Sequence, residues 1–223
     1  MPLNWVPTIK YLGSILQEDN SMSLDIDRKR VSFIGKVHSL TQEFFFLSPA
    51  VKMKLFEIYT ESFYGSSIWN LFGSSCDKIY RAYNVTVRQT FQVPRETHRY
   101  LVESISESVH PKVFLSSRLV KFTSSLNDCN KVSIRILTKL YQNDLRTCLG
   151  KNLHEISRIC QISKEKLTPG AVKHGMMYFS PPENEEWRGP ALHDLLNVQN
   201  NYMTLEGFNE HEINEMINFL CTT

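Results

Sequence analysis

Long apolar runs are missing from this chain of 223 residues, and no stretch approaches the roughly 18 consecutive apolar residues of a membrane-spanning helix. The opening Met1-Pro-Leu-Asn-Trp5 has neither the basic cap nor the apolar stretch of a secretory signal. Cysteine is scarce and scattered. The five cysteines (76, 129, 148, 160 and 221) are odd in number and form no Cys-x-x-Cys. They argue against a disulfide framework and for reduced, mostly buried thiols in an intracellular protein, nuclear or cytoplasmic. No Walker loop, Gly-x-Gly-x-x-Gly, Gly-x-Ser-x-Gly or His-Glu-x-x-His occurs, which removes the common nucleotide-loop, hydrolase and zinc-protease signatures. Internal repeats and low-complexity tracts are also absent.

What is present is an uneven charge. The net value of +2 conceals a body, residues 1–179, with 24 Lys and Arg against 15 Asp and Glu. Residues 180–223 hold one Arg against eight acids. A basic body suits a polyanion surface, because neutralised phosphates release counterions. Solvated Lys and Arg faces on helices give the same excess without any ligand.

Apolar spacing predicts a mainly α fold with a short N-terminal β-hairpin, bracketed by Pro7 and Gly13 and formed by Thr8–Leu12 and Ser14–Gln17. Ser23 is placed to cap a helix reaching Phe46, with Val31, Ile34, Val37, Thr41 and Phe44 on one face. Ser48-Pro49 restarts a helix that presents Val51, Leu55, Ile58, Ser62, Ser66 and Trp69, and small residues at 62, 65 and 66 predict a close backbone approach. A third helix presents Ile79, Tyr83, Thr86 and Thr90 until Pro94 breaks it, completing a three-helix bundle. Further helices are expected over 97–106, 111–126 and 131–146. Gly150 reads as a helix C-terminus, and another short helix reaches Ile162. Residues 168–190 read as loop. Helical spacing returns at Leu192, Leu195 and Leu196, then at Ile213, Met216, Ile217 and Leu220. The chain thus divides into a hairpin (1–20), a bundle (21–95), a helical region (96–167) and a loop with an acidic amphipathic tail (168–223).

Several motifs follow one another in a particular order. Lys10-Tyr11-Leu12-Gly13 precedes a helix opening with Arg28-Lys29-Arg30, then Leu55-Phe-Glu-Ile-Tyr-Thr-Glu-Ser-Phe-Tyr-Gly-Ser-Ser-Ile-Trp69. Tyr83-Asn-Val-Thr-Val-Arg-Gln-Thr-Phe-Gln-Val-Pro94 and Thr97-His98-Arg99-Tyr100-Leu101 come next. The series resembles the reverse transcriptases of non-LTR retrotransposons, from the palm edge through the thumb, best over Lys10 to Tyr100 and more weakly to Gly150. The resemblance implies that Lys10, Tyr11, Leu12 and Gly13 form a primer-grip hairpin. It also implies a thumb-like bundle whose Arg28, Lys29, Arg30 and Lys36, on the side opposite the apolar stripe, meet the backbone of a template–primer duplex. Arg81, Arg88, Arg95 and Arg99 are similar candidates. The implied partner is an RNA–DNA or RNA duplex, bound weakly and without sequence preference.

Nucleotide addition needs aspartates holding two divalent metals, in this family partly in an aromatic-x-Asp-Asp hairpin. No such sequence occurs here. Glu18-Asp19 lies in a polar turn and Glu185-Glu186 in a proline-flanked loop, both read as solvated surface. The expectation is a truncated polymerase without its catalytic palm, with no catalysis and no cofactor, the divalent metal belonging to the full-length enzyme. Cys148, His154 and Cys160 have five residues between neighbours, too sparse for a zinc site, and read as core packing. The alternative is a domesticated or unrelated helical interaction module, binding protein through its acidic tail.

Overall fold

Thr8–Tyr11 (β1) and Ser14–Gln17 (β2) pair antiparallel, with Tyr11 opposite Ser14 and Thr8 opposite Gln17. They open a computed structural model that describes residues 6–19, 21–60, 63–91, 93–95, 97 and 109–177. Leu12 and Gly13 turn the corner at φ 44° and 79°. Positive φ at both positions gives the two-residue turn whose twist suits the strands. Glycine takes this freely, whereas a leucine in the left-handed region costs about 1 kcal/mol.

The other elements among the described residues are helical: α1 (Ser23–Glu43), α2 (Pro49–Thr60), α3 (Ser74–Phe91), α4 (Pro111–Asn127), α5 (Val132–Asn143), α6 (Cys148–Cys160) and α7 (Pro169–Met177). Short 3-10 turns fall at Ser66–Ile68 and Lys164–Lys166. A mainly α fold with a short N-terminal hairpin is what the spacing predicts. The expected helix over 97–106, beyond Thr97, and the apolar spacing from Leu192 to Leu220 lie outside the described residues. The described residues form two compact units that interleave along the sequence. One takes those up to Arg28, Phe63–Tyr80 and those from Val109 on; the other takes those from Lys29 to Thr60 and from Arg81 to Thr97.

In the second unit three helices meet on one ring. Phe56 of α2 stands edge-on to Phe33 of α1 at 5.5 Å and to Tyr83 of α3 at 5.6 Å, all three buried. Each such ring contributes roughly 2–3 kcal/mol by leaving water, and the edge-on geometry adds to it. The expected α3 stripe holds: Ile79, Tyr83, Thr86 and Thr90 are all buried. The two threonine hydroxyls donate to the carbonyls of Tyr83 and Thr86, so their burial leaves no polar group unpaired.

The expected stripes of α1 and α2 hold at Val37, Phe44, Val51 and Leu55, which are buried, and miss at Val31 and Ile58, which are exposed, while Phe33, Leu40, Met53 and Phe56 are buried as well. Larger side chains one or two positions along take the core, since they remove more apolar surface from water. At Gly65 (φ 83°) the close neighbour is a side chain and not the backbone expected: a Cβ would stand 2.3 Å from the Ser14 hydroxyl. Gly65 and Trp69 lie beyond α2, which ends at Thr60 and does not run on to Trp69. Ser48 caps α2 as expected, accepting from the Val51 amide at 3.3 Å. Ser23 does not cap α1. Gln17 of β2 reaches over instead, its side-chain oxygen accepting from the Leu24 amide at 2.8 Å and the Ser23 hydroxyl at 3.2 Å.

The first unit is organised around buried polar groups. Asp25, with no exposure, accepts from the Ile15 amide (3.0 Å), the Trp69 indole (3.0 Å) and the Arg28 guanidinium (2.7 Å). Asn152 of α6 clamps the segment after Trp69, accepting from the Leu71 amide at 3.0 Å and donating to the Trp69 carbonyl at 2.7 Å. Two expectations fail here. Gly150 does not end a helix: it is the third residue of α6, where a Cβ would lie 2.1 Å from the Asp144 carbonyl, and Thr147 accepts its amide as the cap. Pro169-Gly170, read as loop, opens α7, capped by Thr168, with Val172 and Met176 buried. Proline suits a first helical turn because its missing N–H had no partner there anyway.

Asn152→Asp keeps the acceptor for Leu71 but sets a carboxylate oxygen against the Trp69 carbonyl. It is expected to lower stability by about 2–3 kcal/mol, read as a lower urea midpoint by tryptophan fluorescence. An unchanged midpoint would show that this clamp carries no weight.

Candidate nucleic-acid interface

Lys10, Tyr11, Leu12 and Gly13 stand exposed at the hairpin tip, with Leu12 at 69 %. Beside them runs an open groove of about 610 Å3, lined among others by Tyr11, Leu12, Leu16, Tyr64, Arg118 and Phe122. The loop carrying Tyr64 lies against β2 because Gly65 admits no side chain there. The Arg118 guanidinium sits over the Phe114 ring at 5.0 Å, and Phe63 stacks on that ring with centroids 6.1 Å apart. Aromatic faces with a cation among them suit flat, anion-bearing ligands such as nucleotides.

The basic candidates divide by what they already hold. Arg28 does not simply face outward: its guanidinium donates to Asp25 and to the Gly13 carbonyl, tying the turn to α1. Lys36 donates to the Tyr59 carbonyl at 3.2 Å with its ammonium 4.9 Å from that ring's centre. Arg88 donates to the Asn84 and Thr97 carbonyls, the latter at 2.7 Å through one terminal nitrogen, and partial burial lowers its pKa. These three fasten backbone, contrary to a purely outward role. Lys29 and Arg30 are half-buried on α1. Arg81 and Arg95 are exposed. Arg99 lies outside the described residues, as do His98 and Glu185-Glu186.

The structure therefore joins Gly13 to Arg28 and sets Tyr11 and Leu12 on the groove, while Lys36 and Arg88 hold unrelated carbonyls in the other unit. Spacing alone missed Tyr64, Arg118 and Phe122. The signal for Tyr64 was its neighbour Gly65, read as a close approach but placed on a helix.

Asp19 accepts from the Ser21 amide at 3.0 Å, a bond that lowers its carboxyl pKa, and it is exposed in a turn. Cys148 and Cys160 open and close α6, so twelve residues of helical rise, about 18 Å, separate them. One ion cannot bind both. Among the described residues no three His, Cys, Asp or Glu side chains are placed to share a metal. Cys76 is buried in α3, and burial, with Asp77 adding, pushes its thiol up to about 12. Among the described residues no helix is long and apolar enough to cross a membrane. Comparison with protein-family models, curated proteins and solved structures finds no match.

Arg28→Glu would set a second carboxylate beside Asp25 and release Gly13. It is expected to cost about 3 kcal/mol or more, whereas Arg81→Glu should stay within about 0.5 kcal/mol of the parent. Urea unfolding of both variants checks this; equal stability would mean that Asp25 and Arg28 do not form the tie described.

Proposed function

We propose that this chain is a thumb-like portion of a non-LTR retrotransposon reverse transcriptase that holds an RNA–DNA duplex without reading its sequence. The ordered motifs from Lys10 to Leu101 support the reading, as does the hairpin leading into three helices. Leu12 carries the argument. It sits at φ 44° with most of its side chain in water, where asparagine would serve the turn better. Burial does not offset the strain, and backbone outliers of this kind cluster where function uses them.

In the proposed mode the backbone at Gly13 lies close to a sugar–phosphate strand. Tyr11 and Tyr64 offer ring faces to an end base, and Lys10 offers a charge to phosphate. Such contacts position a duplex and do not specify its sequence. The chain's own 223 residues contain no aromatic-x-Asp-Asp, so on this reading it adds no nucleotides by itself. A second reading, a helical protein-interaction module, is favoured by one observation: Val132, Ile136, Leu137, Leu140 and Tyr141 of α5 are all exposed.

The deciding variant is Leu12→Asn. It should raise hairpin stability by up to about 1 kcal/mol, since Asn-Gly is the preferred pair for this turn. On the proposed function it should also weaken hybrid binding, measured by fluorescence anisotropy at two salt concentrations. The parent's affinity should fall linearly on a log–log plot against salt and be indifferent to sequence. Absence of binding at low salt, or a stabilised variant that binds as well as the parent, would remove the proposal. Primer extension with magnesium or manganese should give no product; extension would place chemistry in the chain.

A further inference from the structure

The groove beside the hairpin tip offers contacts that a closed duplex cannot use. Its volume, about 610 Å3, falls within the roughly 300–1,000 Å3 of small-ligand clefts. Tyr11, Leu12, Tyr64, Ile68 and Phe122 line it, each with between 38 % and 69 % of its surface in water. The described residues around it include no Asp or Glu and a single ionic side chain, Arg118, which is exposed. All of them belong to one compact unit. A mostly apolar slot with ring faces and one cation suits a flat aromatic ring that carries an anion nearby.

The groove is also continuous with the turn. A Cβ on Gly13 would stand 3.9 Å from two carbons of the Tyr64 ring, so that ring flanks the most open point of the hairpin backbone. Arg118 and Phe122 are four residues apart on α4 and so share one face of that helix. The Arg118 guanidinium is held over the Phe114 ring at 5.0 Å. A strand lying close to Gly13 would have the Tyr64 ring beside it, with Arg118 and Phe122 in the same groove.

Base pairing decides what can enter. Paired bases stack on one another and show only their edges in the grooves of the duplex. Unpaired bases can splay out and stack on aromatic rings or on a guanidinium plane. We propose that the groove receives unpaired nucleotides extending one strand past the end of the duplex, with bases against Tyr64 and Phe122 and a phosphate against Arg118. This rests on the duplex-holding function above and adds a substrate class to it: a hybrid with a single-stranded extension, preferred over a blunt one.

Fluorescence anisotropy on the full chain tests this with a blunt RNA–DNA hybrid and the same hybrid extended on either strand by a few unpaired nucleotides. A third probe carries an abasic extension of equal length. The normal extension should tighten binding about ten-fold on one of the two strands, the scale of stacking one base on a ring. The abasic one should not. Phe122→Ala should bring the ratio of extended to blunt affinity close to one, Phe122→Trp should keep it, and Arg118→Glu should lower it, with circular dichroism confirming that each variant is folded. Blunt binding with no gain from the extension overturns the inference and leaves the duplex-holding function standing. An abasic extension as good as the normal one, or a Phe122→Ala ratio equal to the parent's, overturns it too. Binding of the extended hybrid alone would remove the duplex-holding function and keep the groove as a single-strand site.

Discussion

Asp25 carries its carboxylate with no exposure to water, and donors from three separate segments converge on it: the Ile15 amide of β2, the Trp69 indole and the Arg28 guanidinium. Desolvating a carboxylate costs several kcal/mol, and only charge-assisted bonds of good geometry offset it. An asparagine would present an amide to some of those donors, since it has one acceptor oxygen where the carboxylate has two. Asp25 also lies in the first turn of α1, where the helix dipole favours negative charge. A two-stranded hairpin alone is marginal in water. Here its tip is held because Arg28 bonds at once to Asp25 and to the Gly13 carbonyl. The direction of the hairpin, the strained turn and the seat of Trp69 all follow from one buried charge.

Much of the fold is legible in local spacing, and what is not legible depends on partners distant in sequence. The hairpin, the start of α2 and the α3 stripe follow from alternation, caps and prolines that act within a few residues, whereas the start of α1 is capped from β2 by Gln17. Val31 and Phe33 are both plausible core residues by spacing, and only the ring of Phe56 decides between them. Gly150 looks like a stop signal until the Asp144 carbonyl is seen pressed against it. The Pro169-Gly170 pair means loop in isolation and helix start once Thr168 caps it and Ser117 donates to the Pro169 carbonyl at 3.1 Å. For the site, sequence located the hairpin tip and the basic residues. It could not tell a cation facing solvent from one fastening a carbonyl, since both read as Lys or Arg on a helix.

That distinction changes what the charge of the body means. Of the 24 basic residues before residue 180, Arg28, Lys36 and Arg88 are occupied with backbone oxygens, and Lys52, buried beneath the Phe45 carbonyl, has its pKa lowered by that burial. A guanidinium already holding a carbonyl would have to exchange that bond for a phosphate, with little net gain, whereas an exposed Arg81 or Arg95 would not. Counting basic residues therefore overstates the phosphates this surface can neutralise. The aromatic faces around the hairpin tip become correspondingly more important to any nucleic-acid contact, because base stacking does not weaken with salt as phosphate contacts do.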